Sequence, residues 1–111
     1  MLRKFKKILY RSLENKEITY KKMKEMLKLN RDIILLDVRS KQEFMEEHLD
    51  GAINIPVFDL ENKVQDIIKD KSKTIIVYCA TGNRSRSAKE ILEKLKYEDI
   101  YNLKNGLDGF R

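Results

Sequence analysis

Two short apolar runs, Ile33 to Val38 and Thr74 to Tyr78, constrain this chain more than any other feature. Each is too short for a stable helix, and neither alternates apolar with polar residues, which is the pattern of a strand buried on both faces. Such strands belong to parallel sheets, whose neighbours are joined by long crossovers that are usually helical. The stretches around the runs supply those helices. Thr19 caps one, with Tyr20, Met23, Met26 and Leu27 on its inner face. Ser40 caps a short helix over residues 41–47, and Glu43 three positions on completes a capping box. Ala52 to Ile55 reads as a brief strand stopped by Pro56. Asp59 caps a helix to about Lys69, with Leu60, Val64, Ile67 and Ile68 facing inward. Ser85 to Leu95 is the next helix and Ile100 to Leu103 the last strand. The alternation predicts an α/β fold: a central parallel sheet of about five strands with helices on both faces.

The 111 residues suit one core. Residues 1–31 carry a net charge of +8 and residues 32–111 a net charge of −2, so the basic character sits in the N-terminal third. Leu2, Phe5, Ile8, Leu9 and Leu13 recur at helical spacing among lysines and arginines, which predicts an amphipathic helix over residues 2–14. We divide the chain into a basic helical extension, 1–16, and a domain, 17–111. Docking of the extension's apolar stripe on the domain or on a second copy is favoured over contact with a membrane surface. Nucleic acid is not expected, because no aromatic residues interleave with the charges as stacking platforms would. No apolar stretch approaches the ~20 residues that span a bilayer, and no secretory leader pattern follows the basic start. One cysteine excludes an intramolecular disulfide and fits a reducing cytoplasm.

That cysteine, Cys79, closes the second apolar run, and a polar turn, Ala80-Thr81-Gly82-Asn83-Arg84-Ser85, opens the helix behind it. A cysteine ending a buried strand is by default a core residue. Here the small, turn-forming residues that follow let successive amides point inward around the sulfur. The start of a helix adds unpaired N–H groups and partial positive charge, which favour thiolate over thiol. Arg84 and Arg86 are close enough in sequence to add a cation.

Tyr78 to Ser85, continued by Arg86-Ser87-Ala88, resembles the active-site loop of rhodanese-like sulfurtransferases. Leu36-Asp37-Val38-Arg39, Glu43-Phe44 and His48 to Pro56 resemble that family's first signature, and Tyr101 to Phe110 its closing strand and turn. Phe110 stands where a tryptophan is common. Three motifs in order cover residues 17 to 111. The resemblance implies a rhodanese-like fold and a two-step transfer of sulfane sulfur through a persulfide on Cys79. It implies a small anionic donor, such as thiosulfate or a persulfide, held by Ala80, Thr81, Gly82, Asn83, Arg84 and Ser85. The stretch Cys79 to Arg84 has the six-residue length that the family associates with sulfur.

Loop spacing separates this reading from cysteine phosphatases, where five residues lie between cysteine and arginine. Here Ser85 occupies that arginine's place, and Tyr78 replaces the histidine that usually precedes the cysteine. Asp37, Arg39 and Arg86 belong to the pocket rim on this reading, with an ion pair fixing the strand end as the favoured role for Asp37 and Arg39. His48 reads as a loop anchor, and Glu43 as a local cap or pair. No metal or organic cofactor is expected, since the lone histidine has no ligand at metal spacing. The alternative function is a non-catalytic rhodanese-like module, or a sulfur relay, working with a protein donor or acceptor.

Overall fold

A computed structural model describes residues 16–111; the expected helix at residues 2–14 lies outside them. The elements are β1 (Glu17–Ile18), α1 (Tyr20–Leu29), β2 (Ile34–Asp37), α2 (Lys41–Glu46), β3 (Ile53–Asn54), α3 (Val57–Ile67), β4 (Thr74–Tyr78), α4 (Asn83–Lys94), β5 (Asp99–Leu103) and a closing 3-10 turn, Leu107–Gly109. The sheet has five strands in the order β1-β5-β4-β2-β3, and every pairing is parallel. The expected architecture is therefore the observed one.

Alternation along β4 sorts its side chains between two layers. Ile75 and Val77 join Leu36, Leu60, Val64, Ala88 and Leu92 beneath α3 and α4. Ile76 and Tyr78 face the other way, with Leu35, Met23 and Leu107 beneath α1. All four β4 residues from Ile75 to Tyr78 are fully buried. At about 1.5–3 kcal/mol for each large apolar side chain buried, this strand anchors the fold.

Local chemistry explains most helix starts. Thr19 accepts from the Lys22 N–H and caps α1. Ser40 and Glu43 make both bonds of a capping box on α2. Two boundaries differ from expectation. Asp59 does not cap α3: the helix begins at Val57 with Pro56 at the cap position, whose carbonyl accepts from the Asp59 N–H at 2.8 Å. Asp59 sits in the first turn instead, and Ile67 is half exposed rather than inward. Helix α4 begins at Asn83, two residues before the expected Ser85, because Gly82 takes a left-handed conformation (φ +102°) that turns the chain into the helix early.

The fifth strand, β1, was not located by pattern. Its two residues lie beside β5, where the Asn102 N–H donates to the Lys16 carbonyl and the Lys104 N–H to the Ile18 carbonyl. From β2 the chain moves outward to β3; from β4 it moves the opposite way to β5. The switch point between β2 and β4 is where open sheets of this kind form a crevice at the carboxyl ends of the strands, and α2 and α4 begin just beyond those ends.

Candidate active site

Cys79 follows the last residue of β4 and is fully buried. Its sulfur is met at 3.1 Å by the Gly82 N–H, at 3.3 Å by the Ser85 N–H and at 3.3 Å by the Ser85 hydroxyl. The early start of α4 produces this arrangement, since Ser85 is the third helical residue and its amide has no partner within the helix. Burial pushes the Cys79 thiol up, but the Ser85 hydroxyl and amide with the Gly82 and Thr81 amides outweigh it, so the net direction is down. The Ser85 hydroxyl also lies 3.2 Å from the Gly82 carbonyl. It has one proton, so it serves either the carbonyl or the sulfur, and a thiolate claims it.

The other predicted loop residues divide. The Ala80 carbonyl accepts from the Asp108 N–H, and the Asn83 side chain accepts from Arg86. Arg84 forms a two-point pair with Glu43, Nη1 to Oε1 at 2.8 Å and Nη2 to Oε2 at 3.0 Å, joining the first turns of α4 and α2. The Arg84 guanidinium holds the Glu43 carboxyl down at about 2. Glu43 is thus both the expected cap and a partner for a residue 41 positions away. Arg86 is exposed and pairs with Glu17 on β1.

Asp37 and Arg39 are buried and bonded to each other. Arg39 Nη2 lies 2.7 Å from Asp37 Oδ2, Nε bridges both carboxylate oxygens, and Nη2 also donates to the Glu47 carbonyl at 2.6 Å. Asn54 donates to the carbonyls of both Asp37 and Arg39. This pair ties the end of β2 to β3 and to the loop after α2. His48 donates from Nδ1 to the Phe44 carbonyl at 2.7 Å and stacks on the Phe44 ring.

Two supporting residues were not singled out from sequence. Gly106 adopts φ +56°, and a Cβ there would meet the Cys79 carbonyl oxygen and sit 2.6 Å from the Ala80 carbonyl carbon. That close approach lets the Leu107 N–H donate to Cys79 and the Asp108 N–H to Ala80. Asn102 is buried and donates to Glu17 and to the Gly82 carbonyl, backing the loop from behind. Its Oδ1 has no hydrogen-bond partner. Among the described residues no group of three or more His, Cys, Asp or Glu could hold a metal, and no helix is long and apolar enough to cross a membrane.

Comparison with known proteins shows the family. The family model of the rhodanese-like domain matches residues 19–111. Thiosulfate sulfurtransferase PspE of Escherichia coli (strain K12) is 39% identical over 67 residues, 60% of this chain and 64% of that protein. The chain thus matches a little under two thirds of PspE's length. Thiosulfate sulfurtransferase GlpE of Coxiella burnetii is 29% identical over 96 residues, covering 86% of this chain and 87% of that one. The solved structure of a rhodanese with anions from E. coli superposes with a TM-score of 0.64 at 35% identity, over 70% of this chain and 91% of that one.

Proposed function

Because this chain belongs to the rhodanese-like domain family, we propose that it is a sulfurtransferase that carries sulfane sulfur as a persulfide on Cys79. The observation that carries the reading is the convergence of the Gly82 N–H, the Ser85 N–H and the Ser85 hydroxyl on one buried sulfur at the end of β4. Three donors aimed at a sulfur favour its anion, and the anion is the attacking form.

With thiosulfate as donor, the Cys79 thiolate attacks the outer sulfur. The new S–S bond forms as the sulfur–sulfur bond of thiosulfate breaks, and sulfite leaves with the electron pair. Cys79 then holds a persulfide anion, whose charge takes over the amides of Thr81, Gly82 and Ser85. A nucleophilic acceptor attacks the terminal sulfur; cyanide would leave as thiocyanate and restore the thiolate. Both half-reactions balance without a redox partner, and the two-step course predicts ping-pong kinetics. On this reading Arg84 supplies the cation that attracts the donor, and Ala80 and Asn83 complete the loop. A reducing, cytoplasmic setting would keep the lone thiol available.

Thiocyanate formation from thiosulfate and cyanide tests this. Turnover is expected from the native chain and none from Cys79→Ser; retained turnover in the variant overturns the mechanism. The second reading, a non-catalytic module or a relay fed by a protein partner, draws on the complete burial of Cys79. Intact mass after exposure to thiosulfate separates the two, because the enzyme gains one sulfur atom and a binding module gains none.

A further inference from the structure

Among the described residues, three arginines that follow β2 and β4 face carboxylates: Arg39 faces Asp37, Arg84 faces Glu43 and Arg86 faces Glu17. The middle pair joins a residue of the loop that holds the sulfur to solvent-accessible surface. Arg84 directly precedes Ser85, whose N–H meets the Cys79 sulfur at 3.3 Å, and its charge is stabilised first by its hydrogen bonds to Glu43. Arg84 and Glu43 are 42% and 34% exposed, whereas Arg39 and Asp37 are buried. Glu43 is itself well fixed. Its Oε1 accepts from the Ser40 N–H at 3.0 Å, and Ser40 Oγ accepts from the Glu43 N–H at 3.2 Å. The carboxylate is therefore held in place by the cap of α2, whatever Arg84 does.

This arrangement has an electrostatic consequence for donors. An anion approaching Cys79 meets Arg84 already paired, with a fixed negative charge 2.8 Å from the guanidinium. To bind Arg84 it must displace two charge-assisted hydrogen bonds or share the cation with Glu43. Glu43 thereby decides how much of Arg84's attraction a donor meets, and that attraction scales with the charge the donor brings. Holding the cation in a pair discriminates between ligands that a free arginine would rank by charge alone.

We propose that Glu43 sets the charge of the sulfur donor this site accepts, by cancelling Arg84 and so selecting singly charged sulfane donors of the alkanethiosulfonate class over doubly charged thiosulfate. The inference rests on the sulfur-transfer reading of Cys79. The alternative donor reacts by the same balanced step: the thiolate attacks the terminal sulfur of methanethiosulfonate, the S–S bond to the sulfonyl group breaks, and methanesulfinate leaves with the electron pair. Glu43 touches neither sulfur nor donor in this scheme; it acts through Arg84 as a positioning residue.

The test is Glu43→Gln, assayed with thiosulfate and with methanethiosulfonate against the same acceptor. Glutamine keeps an oxygen for the Ser40 N–H and removes the charge, together with the second acceptor for Arg84. The expected result is a KM for thiosulfate lowered about threefold to tenfold, and a KM for methanethiosulfonate lowered by about the square root of that factor, since its charge is half as large. In an Arg84→Gln background the same substitution should change the ratio of the two KM values little. An equal change for both donors, or none, overturns the proposal and leaves Glu43 as a helix cap. A changed ratio that persists without Arg84 overturns the route through the arginine. If the native chain turns over neither donor, the sulfur-transfer reading fails, and this inference with it; that outcome is distinct from turnover at an unaltered ratio.

Discussion

Two arginine–carboxylate pairs stand near the mouth of the same crevice and do different work. Asp37 and Arg39 sit at the end of β2, buried, with the guanidinium divided between the carboxylate and the Glu47 carbonyl. Glu43 and Arg84 bridge α2 and α4 with equally good two-point geometry, but a third or more of each side chain meets water. The residue types and bond lengths are nearly the same. Burial decides the difference. A charge that loses its partner in the interior has no solvent to turn to, so the first pair must stay closed for the fold to persist. The second can open against water at small cost, which makes its arginine available to a ligand.

The sharpest way to break this comparison is Arg39→Met. It leaves Asp37 buried without its cation and should destabilise the protein by about 3–5 kcal/mol in urea unfolding. A loss under about 1 kcal/mol would place this pair in the same class as the exposed one. The sulfur gives the next effect. Because its thiol is lowered, the thiolate appears at a lower pH than in free cysteine, and alkylation of Cys79 should rise with pH to a midpoint below the ordinary thiol value. Ser85→Ala removes one of the bonds that lower it. The midpoint should move up toward the ordinary value, and the alkylation rate near neutral pH should fall by about fivefold, the effect of one hydrogen bond. An unmoved midpoint would mean that the amides of Thr81, Gly82 and Ser85 suffice.

The smallest effect is expected from Arg84→Gln, which should cost less than about 1 kcal/mol of stability. Its signature is in the titration of Glu43. With its carboxyl held at about 2, Glu43 contributes stability above the ordinary carboxylate range and loses it as pH falls toward 2. In the variant, NMR titration should find the Glu43 midpoint back near the ordinary carboxylate value, with the acid limb of stability correspondingly flatter. A midpoint still near 2 would assign the depression to the Ser40 cap instead.

How much of this was legible in the residues depends on how local the cause is. Strands β2 and β4 announce themselves, because an apolar run of that length has few other uses. Thr19, Ser40 and Glu43 cap as expected, because a cap is satisfied within four residues. Asp59 misled because a good cap residue stood three positions after Pro56, and the helix had already begun at Val57. Strand β1 has no signature at all: Glu17 and Ile18 become a strand only because β5 presents an edge to them. In the site, the loop from Cys79 to Ser85 was readable from its glycine and its small residues. That Arg84 would find Glu43 was not, since 41 residues separate them and only the β2–β4 crevice brings α2 to α4. Gly106 and Asn102 were hidden for the same reason, as each acts through backbone that arrives from elsewhere in the chain.

The turn around Gly106 also imposes an order in time. Synthesis delivers Cys79 and Ala80 well before Leu107 and Asp108, whose amides are the partners of their carbonyls. Until those residues emerge, the loop lacks its backing, and β4 lacks the neighbour that pairs with it along four residues. A nascent chain therefore displays its cysteine before it has the cradle that would make the sulfur reactive. On the sulfur-transfer reading, competence comes with the last strand and turn, so a ribosome-bound or truncated product ending before residue 106 is expected to carry an ordinary thiol.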